Sequence, residues 1–61
     1  MCRYEVIYVE PEMRVASPVD IIYESENYTA DDYIRDCMNN AEDDWCKMLL
    51  AGEIYLNKIC D

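Results

Sequence analysis

At 61 residues the chain is one domain, near the lower limit for a core that folds unaided, and it leaves little room for a deep cleft. Fourteen acidic residues against five basic ones, with no histidine, give a formal net charge of −9 that hardly changes across physiological pH. Such a charge repels nucleic acid and anionic lipid and attracts a basic partner surface, which disfavours direct nucleic-acid and membrane-surface binding.

Residues 3–10, Arg3-Tyr4-Glu5-Val6-Ile7-Tyr8-Val9-Glu10, have the β-branched and aromatic composition of a strand. Tyr4, Val6 and Tyr8 share one face, and Ile7 and Val9 the other. Pro11 ends the run by removing a ladder donor, and residues 11–18 read as an irregular loop or wide turn. A second strand is expected from Val19 to Ser25, with Val19, Ile21 and Tyr23 alternating against Asp20, Ile22 and Glu24.

Thr29 has the position of a helix N-cap, with Asp31 and Asp32 in the first turn facing the positive end of the helix dipole. Asp32 stands where a capping box prefers Glu or Gln. Ala30, Tyr33, Ile34, Cys37, Met38, Ala41, Trp45, Met48 and Leu49 then keep one apolar stripe in phase. One helix over about 30–51 is the simplest reading. Asn39-Asn40, followed by Glu42-Asp43-Asp44, is where it would bend or break. Gly52 occupies the place of a left-handed C-cap, and residues 53–60 form a third strand with Ile54 and Leu56 on one face and Tyr55 and Ile59 on the other.

The expected fold is therefore a small two-layer α+β domain of order β-β-α-β. An antiparallel three-stranded sheet carries one long or interrupted helix on one face. Val6, Ile21, Ile34, Met38, Trp45, Leu49, Ile54 and Leu56 are the core candidates. The uncovered face is expected to display Ile7, Val9, Ile22 and Tyr55 or their alternates.

The pattern points to no catalytic residue, metal site or cofactor site. Asp31-Asp32 and Asp43-Asp44 are sequence neighbours, so on a helix each pair diverges by about 100°. Neither cluster has the spacing of a calcium-binding loop, and a single glycine cannot build a phosphate-cradling one. Cys2, Cys37, Cys46 and Cys60 contain no C-x-x-C pair and have no histidine partners, which argues against zinc or iron–sulfur ligation. Cys46 beside Lys47 is the one faint candidate for a nucleophile.

No run approaches the ~20 apolar residues of a membrane span. The N-terminus lacks the apolar run and cleavage site of a signal peptide, which leaves the Asn27-Tyr28-Thr29 sequon idle. The expectation is a complete translation product with reduced thiols in a cytoplasm, the host's if it is phage-encoded.

Six tyrosines and one tryptophan with no phenylalanine is an unusual aromatic choice for a core and a favoured one at interfaces. Asp31, Asp32, Asp36, Glu42, Asp43 and Asp44 are the candidate partner-binding carboxylates, standing in for phosphates on a helix face, with Tyr8 and Tyr55 as anchors. At the level of class alone, a tiny acidic α+β chain without chemistry resembles the small inhibitors encoded by bacteriophages and mobile elements. That resemblance implies a binding inhibitor or regulator of a larger, basic, nucleic-acid-handling or defence protein. The alternatives are a structural homodimer and, last, an enzyme or redox protein using Cys46 or Cys37. The plainest reading of the acidity is solubility.

Overall fold

In the computed structural model, which describes residues 1–60, the apolar alternation of β1 (Cys2–Val9) forms the centre of the sheet. It pairs antiparallel with β2 (Ala16–Glu24) on one side and with β3 (Glu53–Ile59) on the other, giving the order β2-β1-β3. Helices α1 (Ala30–Asn39) and α2 (Asp44–Ala51) lie between β2 and β3 in the chain. The order is thus β-β-α-α-β rather than β-β-α-β, and the stretch expected as one long or interrupted helix is two separate helices.

The β1–β2 connection is a turn over residues 10–15, shorter than the loop expected over residues 11–18 because β2 starts at Ala16 rather than Val19. Glu10 N–H donates to the Val15 carbonyl at 3.1 Å, and Arg14 N–H donates to the Glu10 carbonyl at 2.9 Å. Arg14 closes the turn at φ 55°, a left-handed conformation costly to any residue but glycine. Pro18 fits inside β2 for two reasons. The strand is an edge, where a missing donor is harmless, and the ladder slips between Val6 and Ile7, which pair with Asp20 and Pro18.

Register assigns the faces. Tyr4 pairs with Ile22 and Lys58, and Val6 with Asp20 and Leu56. Tyr4 and Val6 are buried under the helices. Val6, Tyr33, Cys37, Leu49 and Ile54 make the core cluster, with Tyr8, Val19, Ile22, Ile34, Cys46, Leu50 and Leu56 packed against it. The expected face for Ile21 and Ile22 is therefore reversed: Ile22 points to the helices and Ile21 away from them.

Thr29 caps α1 through a complete capping box, its hydroxyl accepting from Asp32 N–H while the Asp32 carboxylate accepts from Thr29 N–H. The helix stops at Asn39 because the Asn40 side chain donates to the Asp36 carbonyl and competes with the helical ladder. Asp43 then caps a new helix, accepting from Trp45 N–H at 2.8 Å. This restart shifts the phase of the apolar stripe. In α2 the inward residues are Cys46, Leu49 and Leu50, while Met38 at 62% and Trp45 at 46% are exposed. Both were core candidates: Trp45 is turned outward by the restart at Asp43, whereas Met38 lies within α1 itself, whose buried residues are Tyr33 and Cys37.

Two further expectations are corrected. Gly52 is extended, at φ −118° and ψ −158°, not left-handed. A glycine is required there by space, since a Cβ would meet the Tyr8 ring and the Val9 carbonyl oxygen at 2.5 Å. Cys2 and Cys60, expected as reduced thiols, are joined in a disulfide that ties the start of β1 to the residue after β3. Antiparallel pairing of Arg3 with Ile59 brings the two cysteines side by side.

Candidate protein-docking surface

All six candidate carboxylates lie in α1, α2 or the turn between them, with different tasks. Asp32 is engaged locally: it accepts from Thr29 N–H at 3.0 Å, from the Thr29 hydroxyl at 3.1 Å and from the Arg35 guanidinium at 3.3 Å. The Thr29 backbone bond, followed by the Thr29 hydroxyl, holds its carboxyl below the usual range, with Arg35 assisting. Asp36 accepts from the Tyr28 hydroxyl at 3.4 Å. Tyr28 is pushed up to about 12 by burial first and then by the Asp36 charge.

Asp31, Glu42, Asp43 and Asp44 are exposed, and Asp43 doubles as the α2 cap. The stretch 30–51 sets six carboxylates against two cations, Arg35 and Lys47, and Arg35 is already paired with Asp32. At the turn between the helices, Met38, Asn39, Asn40, Ala41, Glu42 and Asp43 line an open depression of about 370 Å³. Met38, Trp45 and Met48 are exposed large apolar side chains in the same layer. These three were missed as surface residues by the sequence reading. The available signal was Asp43 as a second N-cap, since a helix restarting there turns Cys46, Leu49 and Leu50 inward and leaves Trp45 and Met48 outside.

The tyrosines separate by face. Tyr4 is buried and its hydroxyl donates to the Ser25 carbonyl at 2.6 Å. Tyr33 donates to Asp20 at 3.5 Å and is pushed up to about 12 by burial and then by that carboxylate, against the pull of the Trp45 indole N–H. Tyr8 packs against the core cluster on the helix side. Tyr55 stands on the opposite face, exposed, its hydroxyl donating to Glu53 at 3.2 Å. The structure therefore does not bring Tyr8 and Tyr55 together, and only Tyr55 is available for an external contact.

The uncovered face of the sheet is a second distinct surface. Ile21, Tyr23 and Tyr55 are exposed on it, beside the half-buried Ile7, Val9 and Ile59. At its centre Asn57 Nδ2 donates to Glu5 Oε1 at 2.8 Å. One of its two edge strands, β2, contributes to a depression of about 520 Å³ lined by Glu5, Pro18, Val19, Asp20 and Ile21.

Cys37 is buried, and desolvation pushes its thiol up to about 11, which makes it a poor nucleophile at neutral pH. Among the described residues no group of three or more metal-ligating side chains converges, and no helix is long and apolar enough to cross a membrane. Comparison with known proteins finds no matching family model, no matching curated protein and no matching solved structure.

Proposed function

We propose that the protein is a binding module that inhibits or regulates a larger protein by docking its helical layer onto a basic surface. The observation that supports this reading is the combination in one layer of exposed Asp31, Asp36, Glu42, Asp43 and Asp44 with exposed Met38, Trp45 and Met48. Carboxylates at this density speed encounter with a basic surface, and Trp and Met supply the apolar anchors from which residence time comes. A basic channel that normally takes a phosphate backbone fits both features. A nucleic-acid-handling or defence protein is therefore the partner class. No step of covalent chemistry is involved. The Cys2–Cys60 bond favours a setting in which disulfides persist over a reducing cytoplasm.

The test uses purified nucleic-acid-handling proteins with basic channels, with association measured across a salt series. In the Asp43→Asn/Asp44→Asn variant the α2 cap is retained, because Asn caps as well as Asp. The variant should associate about tenfold more slowly at low salt and match the parent at high salt. Trp45→Ala should instead speed dissociation. Equal association rates at every salt concentration would leave these carboxylates a solubility role only.

A second reading, a homodimer through the uncovered sheet face, is favoured by the exposure of Ile21, Tyr23 and Tyr55. That face carries Arg3 together with Glu5, and its Glu53 is paired with Arg14 at 3.2 Å. A second copy would meet far less like-charge repulsion there than on the helical layer. Sedimentation of the parent and an Ile21→Asp variant over a range of concentrations separates the two readings.

A further inference from the structure

The sheet has two edge strands, β2 and β3, and their outer backbone groups differ. On β2, Pro18 has no N–H to offer, and the Ile21 N–H donates to its neighbour Asp20 Oδ1 at 2.8 Å. The ladder to β1 also slips beside them, between Val6 and Ile7. A missing donor, a capped donor and a bulge are devices by which an edge refuses another strand. Hydrogen bonding alternates along an antiparallel ladder, so the same capped donor fixes the geometry of β3. Ile21 turns its N–H away from its partner Glu5, so Glu5 directs its own backbone groups to β3 and makes a bonded pair with Asn57. The alternation then places Cys2 and Cys60 on a non-bonded pair, in agreement with their Cα separation of 4.5 Å. Ile54, Leu56 and Lys58 therefore turn their N–H and C=O groups to the open edge. β3 contains no proline, its ladder with β1 runs without a slip, and among the described residues no strand lies beyond it.

We infer that β3 is a self-association edge, at which two copies of the chain pair β3 to β3, antiparallel, about a two-fold axis at Leu56. The two sheets become one of six strands. Leu56 bonds to its own counterpart, and Ile54 bonds to Lys58 of the second copy on either side of the axis. Each of these pairs exchanges two backbone hydrogen bonds. On the helix side the half-buried Leu56, backed by Val6, is covered by the second Leu56. On the other side the exposed Tyr55 meets Asn57 of the second copy. Charge favours a second copy here despite the net charge of −9. Three of the five cations cluster at this strand: Lys58 lies on it, Arg3 pairs with Ile59, and Arg14 holds Glu53 at 3.2 Å. Across the seam Lys58 faces Ile54 and Glu53 faces Ile59, so no like charges are opposed. The contact uses neither the helical docking surface nor the uncovered sheet face, and so stands apart from both readings above. A seven-residue seam is small for a stable interface, so pairing should set in between micromolar and millimolar concentration.

Sedimentation equilibrium of the full chain over that range checks the pairing, and the mass should rise from one 7.2 kDa chain to two. A synthetic chain with an N-methyl group on the Leu56 amide loses one edge donor and keeps every side chain. It should remain single at every concentration while retaining the circular dichroism of the parent. Ile21→Asp should pair as the parent does, which separates this edge contact from a face-to-face one. Hydrogen exchange on the unmodified chain decides the matter even if N-methylation disturbs the fold. Protection of the Ile54, Leu56 and Lys58 amides should rise about tenfold from the lowest to the highest concentration, while Tyr55 and Asn57, bonded to β1, are protected at both. Edge pairing is overturned by a parent that stays single at millimolar concentration or by a folded N-methylated chain that pairs as well as the parent. Loss of pairing in Ile21→Asp, or protection of Ile54, Leu56 and Lys58 that does not change with concentration, would overturn it equally.

Discussion

Along β1, Tyr4 and Val6 are sealed beneath the helices, whereas Ile7 and Val9, their neighbours in the same strand, stand on the face that no described element covers. Both sets are apolar, so the two-residue alternation separates them without saying which is inside. The partners decide. The Val6 side receives Leu56 across the ladder and Tyr33, Cys37 and Leu49 from the helices. The Ile7 side receives only cross-strand neighbours, Pro18 and Tyr55. One helical layer can bury one face, and in a chain this short the other face stays open to water or to a partner.

The sharpest test of this contrast is a pair of truncations. Leu49 is 0% exposed, so Leu49→Ala should cost about 2–5 kcal/mol. Trp45, although larger, should lose less than about 1 kcal/mol on change to Ala, as surface residues do. Denaturant midpoints of the two variants check this. Comparable losses would return Trp45 to the core and remove it as a docking anchor.

Gly52 tests how the helical layer meets the sheet. A side chain there collides with Tyr8 and Val9, so Gly52→Ala should cost about 1–3 kcal/mol through overpacking. Gly52→Asn should be no better. A left-handed cap would tolerate Asn, so rescue by Asn in thermal unfolding would contradict the extended conformation seen here.

The smallest effect concerns the start of α1. The Asp32 carboxyl is held below its ordinary value of 3.8, chiefly by its bond to Thr29 N–H. Its capping contribution is therefore fully present above that value and is lost as the pH falls through the lowered one. The difference in thermal midpoint between the parent and Asp32→Ala should be constant near neutrality and shrink below about pH 4. Thr29→Ala should cost about 1 kcal/mol at neutral pH. A gap for Asp32→Ala that does not change on acidification would mean the carboxylate is not what caps the helix.

Much of the docking surface is a matter of charge. Asp31 and Asp44 follow from their places at helix starts and Asp36 and Glu42 from composition, and exposed carboxylates need no tertiary contact to be where they are. The aromatic part was not legible in the same way. Tyr8 and Tyr55 lie at odds in register, one against the core and one outside it. The hydroxyls of Tyr4 and Tyr33 are satisfied by Ser25 and Asp20, residues from distant parts of the chain. Such partners allow tyrosine to do in this core what phenylalanine does elsewhere.

The sequence by itself determined the three strands, the Thr29 capping box, the antiparallel sheet and the acidic character of residues 30–51. These rest on local preferences: β-branched alternation, a side chain bonding its own helix start, and unpaired charge. Tertiary structure alone decided which face of β2 is buried, which cysteines are joined and why residue 52 is glycine, because each depends on residues brought together from far apart. It also settled the break after Asn39. There two local signals competed, a continuous apolar stripe and a second cap at Asp43. Packing Cys46, Leu49 and Leu50 against the sheet favours the cap, and Trp45 is left outside.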